Sequence, residues 1–121
     1  MISKDIAHYL KNRHDVKPIE DTCGLIQELY HSDNMSVAYV TIKNAALSHK
    51  HLKMEEVYYI QSGNGILYLG QDKAKVLPGD VITIPKGVYH HLENVAFKPL
   101  ELLVITHPRY DLSDVILEPL F

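Results

Sequence analysis

Two periods of apolar residues run along this chain. Near the amino terminus, residues 3–13 place Ile6, Tyr9 and Leu10 on one stripe of a helix, with Ser3 as the N-cap and basic residues late. This predicts a short N-terminal helix that serves as a lid or brace. From Gly24 the period becomes two, and short β-branched or aromatic runs follow one another. They predict strands at Gly24–Tyr30, Ser36–Lys43, Leu47–His51, Glu56–Gln61, Ile66–Leu69, Ala74–Leu77, Val81–Ile84, His90–Val95 and Leu100–His107. The separators carry turn chemistry, as in Ser62-Gly63-Asn64-Gly65, Pro78-Gly79-Asp80 and Pro85-Lys86-Gly87. So many short strands imply an all-β sandwich or barrel, and periodicity alone does not choose between a jelly roll and an immunoglobulin-like arrangement.

Size and composition narrow the setting. A chain of 121 residues, 46% hydrophobic, predicts one domain over residues 1–121 with a sufficient core. A formal charge of -3 gives no reason to expect nucleic acid or an anionic membrane as partner. Cys23 stands alone, which rules out an intrachain disulfide and suits a reducing cytoplasm; in Asp21-Thr22-Cys23-Gly24 it reads as a small turn residue, not a nucleophile. The N-terminus meets charge at once, and the longest aliphatic run, Leu102 to Ile105, is too short to span a bilayer.

The candidate chemistry lies in two segments. In the first, His49-x-His51 is followed after four residues by Glu56 and after six more by Gly63. Residues two apart on a strand share a face, so His49 and His51 aim together and Lys50 points away. In the second, Gly79 leads through Pro85 and Gly87 to His90 and then Asn94. Together they supply three imidazoles and one carboxylate, a donor set for a transition metal. The wording resembles the two motifs of the cupin superfamily, G-x5-H-x-H-x3-4-E-x6-G and G-x5-P-x-G-x2-H-x3-N. One position departs: the first glycine falls near Asn44, which affects turn geometry and not ligation.

That resemblance covers roughly residues 36–108, with residues 1–35 as an extension, and implies a cupin double-stranded β-helix, a jelly-roll barrel. It implies His49, His51, Glu56 and His90 as ligands of a divalent transition metal: Fe, Mn, Ni, Co or Zn. Glu55 and Glu56 compete for the carboxylate position; the family spacing to Gly63 selects Glu56. Four protein ligands would close a tetrahedral zinc site but leave two adjacent positions open on a six-coordinate metal, suited to a substrate with neighbouring oxygens. Isomerisation, elimination, decarboxylation and dioxygenation all occur in the family, so fold and ligands do not choose among them. The alternative is a non-catalytic, metal-dependent binding or sensing protein for a sugar or organic acid.

Several further residues take provisional roles. Tyr58 shares the face of Glu56 and reads either as an acid/base for the substrate or as a core tyrosine; Tyr39 and Gln27 are weaker candidates of the same kind. Asn94 is expected to hold backbone, His91 to point outward, His107 to end a strand, and His8 and His14 to be solvated. Lys43, Lys50 and Lys53 read as surface charges more readily than as steering groups. If Ser62–Gly65 closes a hairpin, Gln61 pairs with Ile66, Ile60 with Leu67, Tyr59 with Tyr68 and Tyr58 with Leu69. Val57, Tyr59, Ile66 and Tyr68 then form one apolar outer cluster, which predicts cover by the N-terminal segment or, preferred here, by a second copy in a homodimer.

Overall fold

The computed structural model describes residues 6–22 and 24–120. Eleven strands are described: β1 (Ile19–Asp21), β2 (Gly24–His31), β3 (Ser36–Ile42), β4 (His49–Lys50), β5 (Glu55–Ser62), β6 (Gly65–Leu69), β7 (Asp72–Val76), β8 (Val81–Ile84), β9 (His90–Asn94), β10 (Leu100–His107) and β11 (Ile116–Leu117). They form two antiparallel sheets, one in the order β1-β2-β3-β10-β5-β8 and the other β11-β4-β9-β6-β7. The sheets face each other across a core that includes Val40, Ile42, Ile60, Leu92, Leu100 and Leu102. Alternation explains the burial: Glu56, Tyr58 and Ile60 of β5 point inward while Glu55, Tyr59 and Gln61 are exposed.

The Ser62–Gly65 connection is not a hairpin. β5 pairs with β10 and β8, whereas β6 pairs with β7 and β9, so the loop carries the chain from one sheet to the other. Its two glycines make the crossing possible. Gly63 has φ +91°, and a Cβ there would lie 2.6 Å from the carbonyl oxygen of Pro99; one at Gly65 would lie 2.8 Å from that of Glu93. The expected outer cluster therefore divides. Val57 and Tyr59 lie outside the six-stranded sheet, and Ile66 and Tyr68 outside the five-stranded one.

The expected N-terminal helix is also reduced. Ile6–Tyr9 and Arg13–Asp15 are single 3-10 turns with no buried residue; Ile6, Tyr9 and Leu10 are 52%, 75% and 72% exposed. One turn has too few hydrogen bonds to sustain a helix when its apolar stripe meets nothing. The Ser3 cap and Cys23 lie outside the described residues.

What the N-terminal segment does cover is a strip of the six-stranded sheet. Gln27 donates from Nε2 to the carbonyls of Arg13 (2.6 Å) and Val16 (2.7 Å). The Arg13 guanidinium lies 4.0 Å above the Tyr39 ring, and the Tyr39 hydroxyl donates to Glu101 at 2.9 Å. Gln27 and Tyr39 thus face outward beneath this segment and take no part in the interior, a correction that strand parity decided once the register was known.

Candidate metal centre

Four side chains from three strands and one loop meet between the sheets. His49 on β4 is register partner to His90 on β9; His51 follows β4, and Glu56 enters from β5 of the opposite sheet. Their ligand atoms lie within 4.8 Å of one another, and all four residues are buried. Each imidazole is fixed from behind by a backbone carbonyl. Nδ1 of His49 meets the oxygen of Leu47 at 2.7 Å, that of His51 the oxygen of Asp114 at 2.9 Å, and that of His90 the oxygen of Val88 at 2.9 Å. A carbonyl only accepts, so each Nδ1 carries its proton outward and each ring turns its Nε2 inward.

This arrangement bears directly on metal binding. Nε2 of His51 and of His90 lie 3.0 and 3.2 Å from Oε1 of Glu56. Two lone pairs at that separation repel unless a proton or a cation stands between them. Burial pulls the His51 pKa down, but the Glu56 carboxylate outweighs it, and the net position is above the ordinary imidazole value of 6.5. Burial likewise pushes Glu56 up, while hydrogen bonds from His51 and His90 outweigh it and hold the carboxyl at about 2. His49 is pushed by burial down to about 4, the Leu47 carbonyl and the Glu56 charge offsetting only part of that. A divalent cation would replace the shared proton and satisfy all four donors, so the donor set fits a transition metal.

The turn between His51 and Glu56 is held by a residue whose role sequence reasoning missed. The Asp114 carboxylate accepts from the backbone N–H groups of Leu52 (3.0 Å), Lys53 (3.0 Å) and Met54 (3.0 Å), while its own carbonyl takes the His51 proton. Asp114 is 4% exposed. Further along the tail, β11 pairs with β4, setting Leu117 opposite His49. The available signal was local: Asp111 caps a turn by accepting from the Ser113 N–H at 2.9 Å, which marks a structured segment and not a loose tail. Gly87, from the second motif, donates its N–H to the His51 carbonyl at 2.6 Å.

The other provisional residues are also placed. The Tyr58 hydroxyl donates to Oε1 of Glu56 at 3.3 Å, inside the sandwich. Asn94 holds backbone, donating to Lys43 and Lys98 carbonyls at 2.9 Å each. Asn44, next to the position of the motif glycine, accepts the Asn94 N–H at its carbonyl at 2.6 Å, and positive φ is confined to glycines among the described residues. His91 stacks on Tyr68 at 4.5 Å on the outer face. His107 at its strand end donates to the Asn34 carbonyl at 2.7 Å. His8 and His14 are exposed. Lys50 points outward over the Tyr89 ring at 4.6 Å.

Beside the cluster lies a cavity of about 50 Å³. His49, Glu56, Tyr58, Ser36 and Thr106 give it a polar end, and Val40, Leu92 and Leu102 are among its apolar walls. The space suits the head of a small molecule beside the four donors.

A two-sheet β-sandwich with three inward imidazoles and one carboxylate fits a small jelly roll with a metal site. Residues 29–106 match the Cupin domain family, and the chain belongs to it. It is 35% identical over 114 residues to an uncharacterized protein of Methanocaldococcus jannaschii, covering 87% of this chain and 91% of that one. An uncharacterized protein of Aquifex aeolicus is 33% identical, covering 93% of this chain and 89% of that one. Among solved structures, Streptomyces Pac13 with uridine superposes with a TM-score of 0.78 at 17% identity, over 92% of this chain and 91% of that one. Pac13 is a nucleoside dehydratase; at this identity the likeness concerns the fold. No helix among the described residues is long and apolar enough to cross a membrane.

Proposed function

We propose that this protein is a metal-dependent enzyme for a small oxygenated metabolite, with His49, His51, Glu56 and His90 as ligands and Tyr58 as acid/base. The observation that carries the reading is the common orientation of three imidazoles, each Nδ1 committed to a carbonyl and two of the Nε2 atoms set against one Glu56 oxygen. The metal would act as a Lewis acid, polarising a carbonyl and acidifying the adjacent C–H. Glu56 offsets the cation's charge, the carbonyls of Leu47, Val88 and Asp114 fix ring orientation, and the apolar wall limits water at the reacting centre. Tyr58, which donates to Glu56 and lines the same cavity, supplies the hydroxyl that would exchange a proton with substrate through that contact. Isomerisation, elimination or decarboxylation, and dioxygenation with an oxidisable metal, all remain within this chemistry.

The first experiment is elemental analysis of untagged protein purified without chelators, followed by proton-exchange and oxygen-consumption assays on hydroxyketones. One equivalent of Fe, Mn, Ni, Co or Zn per chain supports the proposal. No metal, even after reloading, removes it and leaves a ligand-binding barrel.

A homodimer in a reducing cytoplasm belongs to the same proposal. The support is the part of the six-stranded sheet that the described residues leave exposed, where Tyr30, Tyr59, Val81 and Ile105 are 55%, 40%, 64% and 39% exposed. Their register neighbours Val37, Val57 and Leu103 complete an apolar face.

A further inference from the structure

Two buried hydroxyls line the cavity beside the four donors, and one of their hydrogens meets no acceptor within hydrogen-bonding distance among the described residues. Ser36 and Thr106 are both 2% exposed, line the cavity, and sit opposite each other in the β3–β10 register. Their hydroxyl oxygens are 2.5 Å apart. That contact uses one of the two hydroxyl hydrogens. The other has no acceptor within hydrogen-bonding distance among the described residues, although a buried donor without one is costly. The rest of the polar end is committed: the Tyr58 hydroxyl donates to Glu56, the Tyr110 hydroxyl to Asp21, and Glu28 pairs with Arg109.

The direction of the pair follows from a third contact. The backbone N–H of Tyr110 donates to Oγ of Ser36 at 3.0 Å. A hydroxyl that accepts is polarised to donate, so the chain runs from Tyr110 N–H through Ser36 to Thr106. The hydrogen left over is then that of Thr106. Thr106 is the register partner of Glu56, so this donor stands beside the carboxylate of the four-residue cluster.

We infer that Thr106 is a substrate-binding residue whose hydroxyl donates a hydrogen bond to the anionic or enolising oxygen of a chelating substrate, with Tyr110 and Ser36 polarising it from behind. This rests on the metal-centre reading and extends it to a substrate class: molecules with two neighbouring oxygens, one of which carries or develops negative charge. Such an oxygen gains a short, charge-assisted bond from Thr106, whereas a neutral ether or amine gains none.

The test uses Co(II)-loaded protein and acetohydroxamate, which presents two neighbouring oxygens with one charged, and follows both binding steps by visible absorption. Thr106→Val keeps shape and strand preference and removes the donor; it is expected to weaken acetohydroxamate by at least about tenfold, the scale of a hydrogen bond to a charged group, with Co(II) affinity within about twofold. Thr106→Ser is expected to restore binding. Unchanged acetohydroxamate affinity in Thr106→Val overturns the inference, as does a parallel loss of Co(II), which would mark the pair as structural. If Thr106→Val does not fold, Ser36→Ala removes the polarising hydroxyl, and a weakening of at least about twofold is expected; no change again overturns it. Wild-type protein that takes up no Co(II) overturns the metal-centre reading and this inference with it, whereas an inert Thr106→Val in a Co(II)-binding protein overturns this inference alone.

Discussion

His51 and Asp114, 63 positions apart, hold each other from both sides: the imidazole Nδ1–H donates to the Asp114 carbonyl at 2.9 Å, while the Asp114 carboxylate gathers the N–H groups of the three residues after His51. The tail thereby sets the direction of one metal-ligand candidate and the shape of the turn that leads to another, Glu56. Asp114→Ala is expected to cost about 2 kcal/mol of stability, since the buried Met54 N–H among others loses a charged acceptor. Urea unfolding of the two proteins measures it; a change below about 0.5 kcal/mol removes the buttress argument.

The same carboxylate predicts a pH dependence. Burial pushes the Asp114 pKa up, but the N–H groups of Leu52, Met54 and Lys53 outweigh it, leaving it below the ordinary 3.8. A carboxyl depressed in the folded state contributes stability that is complete above its unfolded pKa and lost as pH falls through the folded one. The stability gap between wild type and Asp114→Asn should therefore be full at about pH 6 and shrink below about pH 3.5. A gap that is constant down to acid unfolding contradicts this origin.

Metal uptake should compete with a proton. The His51 pKa is raised, with the Glu56 carboxylate outweighing burial, so the metal-free pair retains a proton that a cation must displace. Affinity is expected to climb about tenfold per pH unit below the His51 pKa and to level above it. Calorimetric titration in buffers of different ionisation enthalpy would count the released proton; a pH-independent affinity between about pH 5.5 and 8 speaks against a shared proton.

Removing one ligand separates metal chemistry from fold. His90→Ala should lose stoichiometric metal and the rise in Tm that metal gives wild type, an effect of about 2.7 kcal/mol at a hundredfold excess over Kd. Tyr58→Phe should keep the metal and lose turnover by about 10²-fold or more if Tyr58 moves a proton. Retained turnover in that variant would return Tyr58 to the role of a core residue that steadies Glu56.

The uncovered sheet face can be tested without any ligand. Tyr59 is 40% exposed beside Leu103 and Val81, and a Tyr59→Glu charge there should convert a dimer to a monomer in light scattering while leaving metal content unchanged. A wild-type protein that is already monomeric at about 100 μM removes the dimer proposal.

Much of the fold was legible because strands announce themselves locally. Alternation located most of the strands, and turn residues marked their ends. The hairpin reading of Ser62–Gly65 failed because pairing is not local: Gly63 and Gly65 fit a tight hairpin equally well, and only the pairing of β5 with β10 and β8, and of β6 with β7 and β9, shows that they carry the chain between sheets. Tyr39 and Gln27 read as weaker candidates beside Tyr58, yet register placed them on the outside, under Arg13. Short β1 and β11 carried no alternation long enough to read.

By itself the sequence determined an all-β sandwich or barrel, and the resemblance of its two motifs to those of the cupins picked out the four clustered donors and Glu56 over Glu55, because motif spacing along a strand and around two turns is a short-range property. Tertiary structure decided what holds those donors and what stands beside them. Asp114 reaches His51, Ser36 reaches Thr106, and Thr106 stands opposite Glu56 only through contacts between segments far apart in the chain. No local pattern encodes such contacts, since each depends on which strands become neighbours when the two sheets close on a common core.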